Sequence, residues 1–290
     1  MNSGLEVQQI KTMENKETNL PSSTPEAASP LLLDAREVTI RFGGLVAVNK
    51  VSFQLHENEI VGLIGPNGAG KTTLFNAISA QVPLSEGSLT FRGPEGKIDL
   101  TRLQAHDMTR IGIARTFQNI RIFKRMTVLE NVLVGGHWRY RQPAISIMLG
   151  QRAYREEERK RTAEAMELLE LLGLARYAHD PARSLPYGLQ RRLEIARALA
   201  TRPRLLLIDE PSAGMNDQET MELVDFIQNI RRQFGLTVFL IEHDMKFVMS
   251  FSQRIIVLSS GKKIAEGTPA EVQRHPLVIE AYLGEEMDYA

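Results

Sequence analysis

The chain has 290 residues, enough to bury one large α/β core or such a core with a smaller helical lobe. Its 35 Lys and Arg balance its 35 Asp and Glu, so no net field favours nucleic acid as a partner, and the lack of Cys excludes disulfides, thiol catalysis and thiolate metal sites. No apolar run approaches the ~20 residues that a membrane helix needs, so any function at a membrane requires another subunit that crosses it.

The first 30 residues are polar and are interrupted by prolines. They offer too little apolar surface to offset the entropy cost of ordering, which predicts a disordered tail. They also lack the positively charged and then apolar pattern of a signal peptide, so we expect no export. A folded domain is predicted over residues 31–284, followed by a short tail at 285–290.

Two alternating apolar stretches, Leu32 to Ile40 and Val51 to Leu55, indicate antiparallel strands at the start of the domain. Between them, Phe42 precedes two glycines. Two interpretations stay open for this residue. Its ring stacks on an adenine face, or it is a core residue beside a hairpin turn.

A glycine-rich stretch follows the apolar strand Ile60–Ile64 and precedes a segment with helical spacing. It matches G-x-x-x-x-G-K-[ST], in which the glycines let successive N–H groups and the positive end of the helix face a phosphate. We expect Lys71 to reach the β- and γ-phosphates and Thr72 to ligate Mg²⁺; for the motif alone, the alternative is a turn followed by a surface lysine. The candidate phosphate-binding residues are Gly65, Pro66, Asn67, Gly68, Ala69, Gly70, Lys71, Thr72 and Thr73.

After the phosphate loop, the sequence predicts a strand over Ser88–Phe91 and a short helix near Ala105–Arg110. A further strand is predicted over Ile113–Phe117, ending at Gln118. A glutamine at that position can face a metal, a water or a partner, or it is an ordinary loop residue. Thr127 and Glu130 form a capping box that opens a helix through Val134. Another helix, from about 151 to 172, is charged in its first half and apolar in its second, which indicates a helical lobe over about 119–200 inserted between strands.

A further helix is predicted from Tyr187 to Thr201. Its apolar spacing places one stripe of residues in the core and its arginines off that stripe. The expected buried stripe is Leu189, Leu193, Ala196 and Ala200, and the expected outward arginines are Arg191, Arg192 and Arg197.

The fully apolar stretch Leu205–Ile208 reads as a buried strand and ends in Asp209 and Glu210. Two acidic residues at the end of such a strand are costly unless they are used. In P-loop NTPases the Asp at this point holds Mg²⁺ beside the phosphate-loop strand, and Glu210 can orient or deprotonate the attacking water. Surface carboxylates at a strand end are the alternative.

Another buried strand, Leu236–Ile241, is followed by His243, whose imidazole can bond a γ-phosphate oxygen or serve a structural role. Asn216 and Glu219 form a capping pattern for the preceding helix, which reaches Phe234. The remaining predicted elements are strands Arg254–Leu258 and Lys263–Glu266, a helix capped by Thr268, and an apolar stretch Pro276–Leu283 that packs on the sheet.

In their order and spacing these segments resemble the ATP-binding subunits of ABC transporters over residues 31–284. The resemblance covers Phe42 as the adenine-stacking position, Gly65–Thr73 as Walker A, Gln118 as the Q-loop, and a signature segment, Leu185–Leu189. It continues with Asp209 and Glu210 as Walker B and its catalytic carboxylate, Ser212–Asn216 as the D-loop, and His243 as the H-loop.

The resemblance implies an α/β fold: a P-loop NTPase core with a RecA-like, mostly parallel sheet, an N-terminal antiparallel β subdomain and an inserted helical signature subdomain. It implies ATP and Mg²⁺ as ligands. The implied catalytic residues are Glu210, His243 and Lys71, the implied metal ligands are Thr72, Gln118 and Asp209, and the signature residues Pro186, Tyr187 and Gly188 would contact the nucleotide of a second subunit.

Within ABC transporters, the stretches Arg41–Val48, Arg115–Gln118, Ile241–Met245 and Ala281–Gly284 resemble branched-chain amino acid importers of the LivG type. This implies a peripheral ATPase on the cytoplasmic face of the inner membrane. Its partners would be a second ATPase subunit in a nucleotide-sandwich dimer, two permeases and, indirectly, a solute-binding protein. One alternative is urea or amide uptake, because the sequence Gly214–Gln218 somewhat resembles that of urea transporters. The others are lipid or polysaccharide export and a soluble non-transport ABC ATPase.

The signature segment departs from L-S-G-G-Q. Pro186 has neither the hydroxyl nor the N–H of the usual Ser, which removes a charge-assisted contact of about 1.5–3 kcal/mol. Asn216 stands where the D-loop usually has Asp. We therefore expect a different ATPase subunit as partner, with two unequal ATP sites.

Overall fold

The computed structural model describes residues 29–139, 152–243 and 245–288. The tail predicted over residues 1–30 lies outside these ranges except for its last two residues. The sequence also predicts an irregular stretch over residues 137–150, and most of that stretch lies outside the described ranges as well.

The strands and helices follow the predicted order with adjusted ends. The strands are β1 (Leu31–Phe42), β2 (Leu45–His56), β3 (Ile60–Ile64), β4 (Glu86–Gly93), β5 (Gly96–Asp99), β6 (Ile113–Arg115), β7 (Leu205–Asp209), β8 (Thr237–Ile241), β9 (Arg254–Ser259) and β10 (Lys262–Gly267). The helices are α1 (Lys71–Ile78), α2 (Met108–Ile111), α3 (Val128–Gly135), α4 (Arg152–Leu171), α5 (Tyr187–Leu199), α6 (Asp217–Phe234), α7 (Met245–Phe251), α8 (Pro269–Gln273) and α9 (Pro276–Asp288). Strand β5 and helix α7 have no counterpart in the sequence prediction.

The described strands form two sheets. One is antiparallel, in the order β2-β1-β4-β5, and the other has the order β10-β9-β3-β8-β7-β6. In the second sheet β3 pairs in parallel with β8 and β9, and β7 pairs in parallel with β6 and β8. The antiparallel start and the mostly parallel core that the sequence predicts are therefore confirmed.

One neighbour relation is wrong in the sequence prediction. Strand β7, which ends in Asp209, was expected beside the phosphate-loop strand β3, but β8 lies between them. Strand order in a parallel sheet is set by crossover connections and long-range packing. Both strands still point the same way, so their carboxyl ends reach the same edge of the sheet.

Successive residues of a strand point to opposite faces of its sheet. Both faces of the second sheet are covered, so this sheet forms the middle layer. On one face, Val61 and Leu63 of β3 pack in a core with the antiparallel sheet and α1. On the other face, Ile60 and Ile64 pack in a core with residues of α3, α4, α5, α6 and α7. This two-sided burial explains why β3, β7 and β8 are apolar at almost every position.

Helix α5 departs from its predicted faces at Arg191, which is 0% exposed. Of the predicted apolar stripe, Leu193, Ala196 and Ala200 are buried, whereas Leu189 is only partly buried. Arg191 is buried because Glu194 on the next turn and two backbone carbonyls outside the helix hold its guanidinium. Arg197 is partly buried, with its guanidinium over the ring of the exposed Phe123, and burial lowers the pKa of the guanidinium.

Strand β6 ends earlier than predicted because of Arg191 and Glu194. The sequence predicts a strand through Phe117, yet β6 stops at Arg115. The N–H of Phe117 donates to Glu194 and its carbonyl accepts from Arg191, so this backbone bonds to α5 instead of continuing the ladder with β7.

None of the helices in the described part of the chain combines the length and apolar character that crossing a lipid bilayer requires.

Candidate functional site

The phosphate loop between β3 and α1 needs its glycines. Gly70 takes φ 96° as the N-cap of α1, and a Cβ there would lie 2.4 Å from the carbonyl oxygen of Ala47. A Cβ on Gly65 would lie 2.0 Å from the carbonyl oxygen of Leu258. The loop is therefore packed between β2 and β9, and larger residues at these two positions would displace it.

Lys71 lies over this loop. Its Nζ donates to the carbonyl oxygens of Gly65 at 2.5 Å and Pro66 at 2.9 Å, and the residue is only 8% exposed. The loop surface next to it is open, with Asn67, Gly68 and Thr72 exposed, whereas Ala69 is buried and Thr73 is half-buried. The ammonium group and the exposed part of the loop thus lie at the N-terminus of α1, where an anion is favoured.

Phe42 lies at the end of β1, next to the Gly43–Gly44 turn, and is 50% exposed. This excludes the core interpretation of the residue, although the hairpin turn is as predicted. The hairpin is tied to the phosphate loop through Gly261, whose carbonyl accepts from the N–H of Asn49 at 2.7 Å and whose N–H donates to Ala69 at 3.1 Å. Phe42 therefore presents an accessible ring on an element packed against the loop.

Sheet register brings the acidic residues to the loop edge. Ile241 of β8 pairs with Leu63 of β3 on one side and with Asp209 of β7 on the other. The next residue on β7, Glu210, donates its N–H to the carbonyl of Ile241 at 3.0 Å and adopts φ 42°, a backbone angle uncommon for a non-glycine residue. The strand thus ends in a bend that turns the two carboxylates in different directions.

Two other predicted site residues, Gln118 and His243, meet at Glu210. Its Oε2 accepts from Nε2 of Gln118 at 2.6 Å and lies 3.8 Å from Nδ1 of His243. His243 itself is more than half exposed. Together with Lys71 and Asp209 these residues form what we call the phosphate-loop cluster.

Asp209 has a neighbour that the sequence analysis missed. Its Oδ2 lies 3.0 Å from Nη2 of Arg115, and both side chains are nearly buried. Arg115 also donates from Nη1 to Asn76 of α1 at 2.7 Å and to Ser79, the C-cap of that helix, at 2.9 Å. Its guanidinium therefore balances the charge of Asp209 and ties the end of β7 to the phosphate-loop helix. An arginine at the end of a short apolar strand is the sequence signal for this contact.

The predicted metal ligands supply oxygen atoms of three kinds: the exposed hydroxyl of Thr72, the buried carboxylate of Asp209 and the amide oxygen of Gln118. These are the ligand types that Mg²⁺ prefers. Among the described residues there is no group of three or more His, Cys, Asp or Glu that could hold a metal ion. The three oxygen donors therefore fit a Mg²⁺ ion that is also bound by phosphate oxygens of a nucleotide.

The signature segment makes different contacts. Pro186 is exposed and is the N-cap of α5, without a side-chain cap, and the hydroxyl of Tyr187 donates to the carbonyl of Ala213 in the D-loop at 3.1 Å. Gly188 is partly buried in the first turn of the helix. The described bonds of Tyr187 thus join the signature segment to the D-loop of the same chain.

Glu242 is another residue that sequence reasoning missed. It is fully buried, and its Oε1 accepts from the N–H and hydroxyl of Ser212 at 2.9 and 2.6 Å. Its Oε2 accepts from the N–H of His243 at 3.1 Å. Glu242 therefore joins the start of the D-loop to His243, and its position directly before His243 at a strand end was the available signal.

Comparison with known proteins places these features in a family. Residues 48–213 match the family model described as ABC transporter. The chain belongs to the ABC transporter family. Residues 262–288 of this ABC cassette match a second model, described as branched-chain amino acid ATP-binding cassette transporter.

Three relatives cover 88% of this cassette, and the matches span 98% of each relative. It is 46% identical to the high-affinity branched-chain amino acid transport ATP-binding protein LivG of Salmonella typhimurium and 44% identical to BraF of Pseudomonas aeruginosa, which has the same description. It is 31% identical to the lipopolysaccharide export system ATP-binding protein LptB of Haemophilus influenzae.

Solved structures agree on the fold. The ADP conformation of MJ1267, an ATP-binding cassette of an ABC transporter, has a TM-score of 0.76 at 31% identity and covers 88% of this chain and 100% of its own. The dimeric post-hydrolysis state of the cassette MJ0796, bound to ADP and Pi, has a TM-score of 0.67 at 26% identity over 82% and 99% of the two chains. The protein is therefore an ABC ATPase that binds ATP and powers transport.

Proposed function

We propose that this cassette drives the uptake of branched-chain amino acids. The observation that carries the proposal is the match of residues 262–288 to the branched-chain amino acid cassette model. This stretch forms β10, α8 and α9, outside the phosphate-loop cluster, so it can distinguish transporters whose nucleotide sites are alike. The greater identity to LivG than to LptB supports import over lipopolysaccharide export.

The phosphate-loop cluster supports a division of roles in ATP hydrolysis. The loop amides and Lys71 bind the β- and γ-phosphates, and the Phe42 ring stacks on the adenine. Thr72, Asp209 and Gln118 would hold Mg²⁺, which would neutralise charge on the phosphates.

Glu210 orients the attacking water and takes a proton from it as the bond between the γ-phosphorus and the β–γ bridging oxygen breaks. His243, 3.8 Å from Glu210, donates to a γ-phosphate oxygen and holds the water and the phosphate in register. The 2.6 Å bond from Gln118 fixes one oxygen of Glu210, which leaves the other for the water.

One chain supplies part of the site, and a second ATPase subunit supplies the rest through its signature segment. ATP favours the closed pair, and loss of the γ-phosphate lets the pair separate. Because Pro186 lacks the hydroxyl and N–H, the site that this chain completes for its partner is the weaker one, which makes a different subunit the fitting partner. Two permeases that span the membrane receive the motion at its cytoplasmic face.

The test is transport by the assembled complex in proteoliposomes, with its permeases, partner ATPase and solute-binding protein. ATP-driven uptake of leucine, isoleucine or valine, and not of urea or short amides, is the expected result. Uptake of urea alone, or a cassette that never associates with permeases, would overturn the solute assignment while leaving the ATPase activity intact.

A further inference from the structure

Two charged side chains on helix α5 are buried one turn beyond the signature segment. Arg191 is 0% exposed and Glu194 is 2% exposed, and Nη1 of Arg191 lies 2.8 Å from Oε2 of Glu194. Burying two charges is costly, and Nε of Arg191 is also buried without a partner among the described residues. Such a pair contributes little stability compared with well-packed apolar residues. The other contacts of the two side chains therefore indicate what else the pair does.

Those contacts fall on the backbone around Gln118. Arg191 donates from Nη1 to the carbonyl of Phe117 at 2.7 Å and from Nη2 to the carbonyl of Gln118 at 2.8 Å. Oε1 of Glu194 accepts from the N–H of Arg121 at 3.0 Å and from that of Phe117 at 3.4 Å. The pair thus holds the segment 117–121 by carbonyls and amides, on both sides of the Gln118 side chain.

Gln118 in turn reaches the end of β7, where its amide bonds Glu210 at 2.6 Å. A continuous set of contacts therefore runs from the signature helix, through the backbone of residues 117–121, to the carboxylate that we assign to water activation. A planar, bidentate guanidinium fixes two carbonyls in orientation as well as in distance.

We propose that Arg191 and Glu194 are positioning residues for ATP hydrolysis. They hold the backbone at Gln118 so that its side chain fixes Glu210, and they make residues 117–121 move with the signature helix when the subunits close. The proposal rests on the proposed role of Glu210. It predicts that removing the pair slows hydrolysis while ATP still binds, because the phosphate loop makes none of the contacts described for the pair.

The test uses the full chain and replaces both members, Arg191→Met with Glu194→Met, so that no lone charge stays buried. The control makes the same change at Glu156 and Arg159, which have the same spacing on the exposed face of α4. A third variant, Arg191→Lys, keeps the charge but loses the bidentate geometry, so we expect it to fall between wild type and the double variant.

The first readout is amide hydrogen exchange, which is independent of activity. Loss of the bonds to Glu194 should speed exchange at Phe117 and Arg121 by about tenfold or more in the double variant, with β7 unchanged. The control should not change it. Unaltered exchange at residues 117–121 would overturn the proposal, because these amides would then not depend on the pair.

The second readout separates binding from hydrolysis in the complex with the permeases. We expect kcat to fall by about tenfold to a hundredfold while the Kd for MgATP stays within about threefold of wild type. In a Gln118→Ala background the double change should add less than about threefold, since it acts through Gln118. A full additive loss, or equal losses in kcat and ATP binding, would instead indicate a structural role.

The variant Glu210→Gln keeps the two proposals distinct. If it hydrolyses ATP at the wild-type rate, the assignment of Glu210 fails whatever the pair does. If it loses hydrolysis while the Arg191 and Glu194 double variant keeps it, only the positioning proposal fails.

Discussion

The phosphate-loop cluster and the signature segment differ in how the fold holds them. The cluster lies at the carboxyl ends of β3, β7 and β8, where sheet register and buried partners such as Arg115 and Glu242 fix its side chains. The signature segment lies at the start of α5, with Pro186 and Tyr187 exposed and Tyr187 bonded to its own D-loop. One region is assembled by its own chain, and the other presents groups outward.

The difference explains why a residue change has a different kind of effect in each of the two regions. A change in the cluster removes contacts that the chain makes for its own nucleotide. A change in the signature segment acts on whatever molecule covers it, which in our proposal is the ATP of the partner subunit. The following experiments separate the two surfaces, beginning with the largest expected effect.

Replacing Glu210 by Gln should remove the base from the cluster. We expect kcat to fall by about 10²–10⁴ while ATP still binds, because Gln keeps the shape and can still accept from Gln118. Steady-state hydrolysis and size-exclusion chromatography with ATP and the partner ATPase subunit should show an inactive, stable dimer. Glu95→Gln, an exposed change between β4 and β5, is the control, and wild-type turnover by Glu210→Gln would refute the assignment.

Replacing Lys71 by Ala should remove nucleotide binding itself. Nζ lies over the loop carbonyls, and charge-assisted contacts to phosphates contribute about 1.5–3 kcal/mol each, so ATP affinity should fall by about 100-fold or more. Isothermal titration calorimetry with MgATP measures the change. The exposed Lys97→Ala on β5 should bind as wild type, and retained affinity in Lys71→Ala would place the phosphates elsewhere.

Changing Pro186 to Ser tests the other surface. The new hydroxyl and N–H should restore one contact to the partner's nucleotide and tighten ATP-dependent dimerisation by about tenfold. Analytical ultracentrifugation measures the dimer affinity, while ATP binding by the lone chain should not move. Pro94→Ser, at the β4–β5 turn, is the matched control, and an effect on the isolated chain would contradict the division into two surfaces.

The smallest expected effect is on the local stability of helix α3. In the capping box of α3, the N–H of Thr127, and then its hydroxyl, hold the pKa of Glu130 below its ordinary 4.5. A lowered pKa in the folded state means that the cap stabilises above pH 4.5 and that this contribution is lost as pH falls through the lowered value. The protection of the amides at the start of α3, taken as the ratio of the intrinsic to the observed exchange rate, should therefore fall below pH 4.5, and Glu130→Gln should reduce that dependence. Equal pH dependence in both proteins would contradict it.

The predictability of the fold follows the range of the interactions. Capping boxes at Thr127, Asn216 and Thr268 form as the sequence predicts, because each is made by residues three apart. The phosphate loop and the apolar strands are also predictable from short stretches of sequence, because glycine backbone angles define the first and residue spacing defines the second. The half-exposure of Phe42 could not be decided this way, because the surroundings of a strand end depend on other elements.

By itself, the sequence determined the motif order and most of the strands and helices, and hence the family. The tertiary structure decided what lies beside each motif: β8 between β3 and β7, Arg115 on Asp209, and Arg191 with Glu194 under the Gln118 backbone. Arg191 was expected outside because helical spacing reports only a helix's own pattern, whereas its carbonyl partners lie more than seventy residues away. A charged side chain is buried where distant groups compensate it, and such groups have no signature in local sequence.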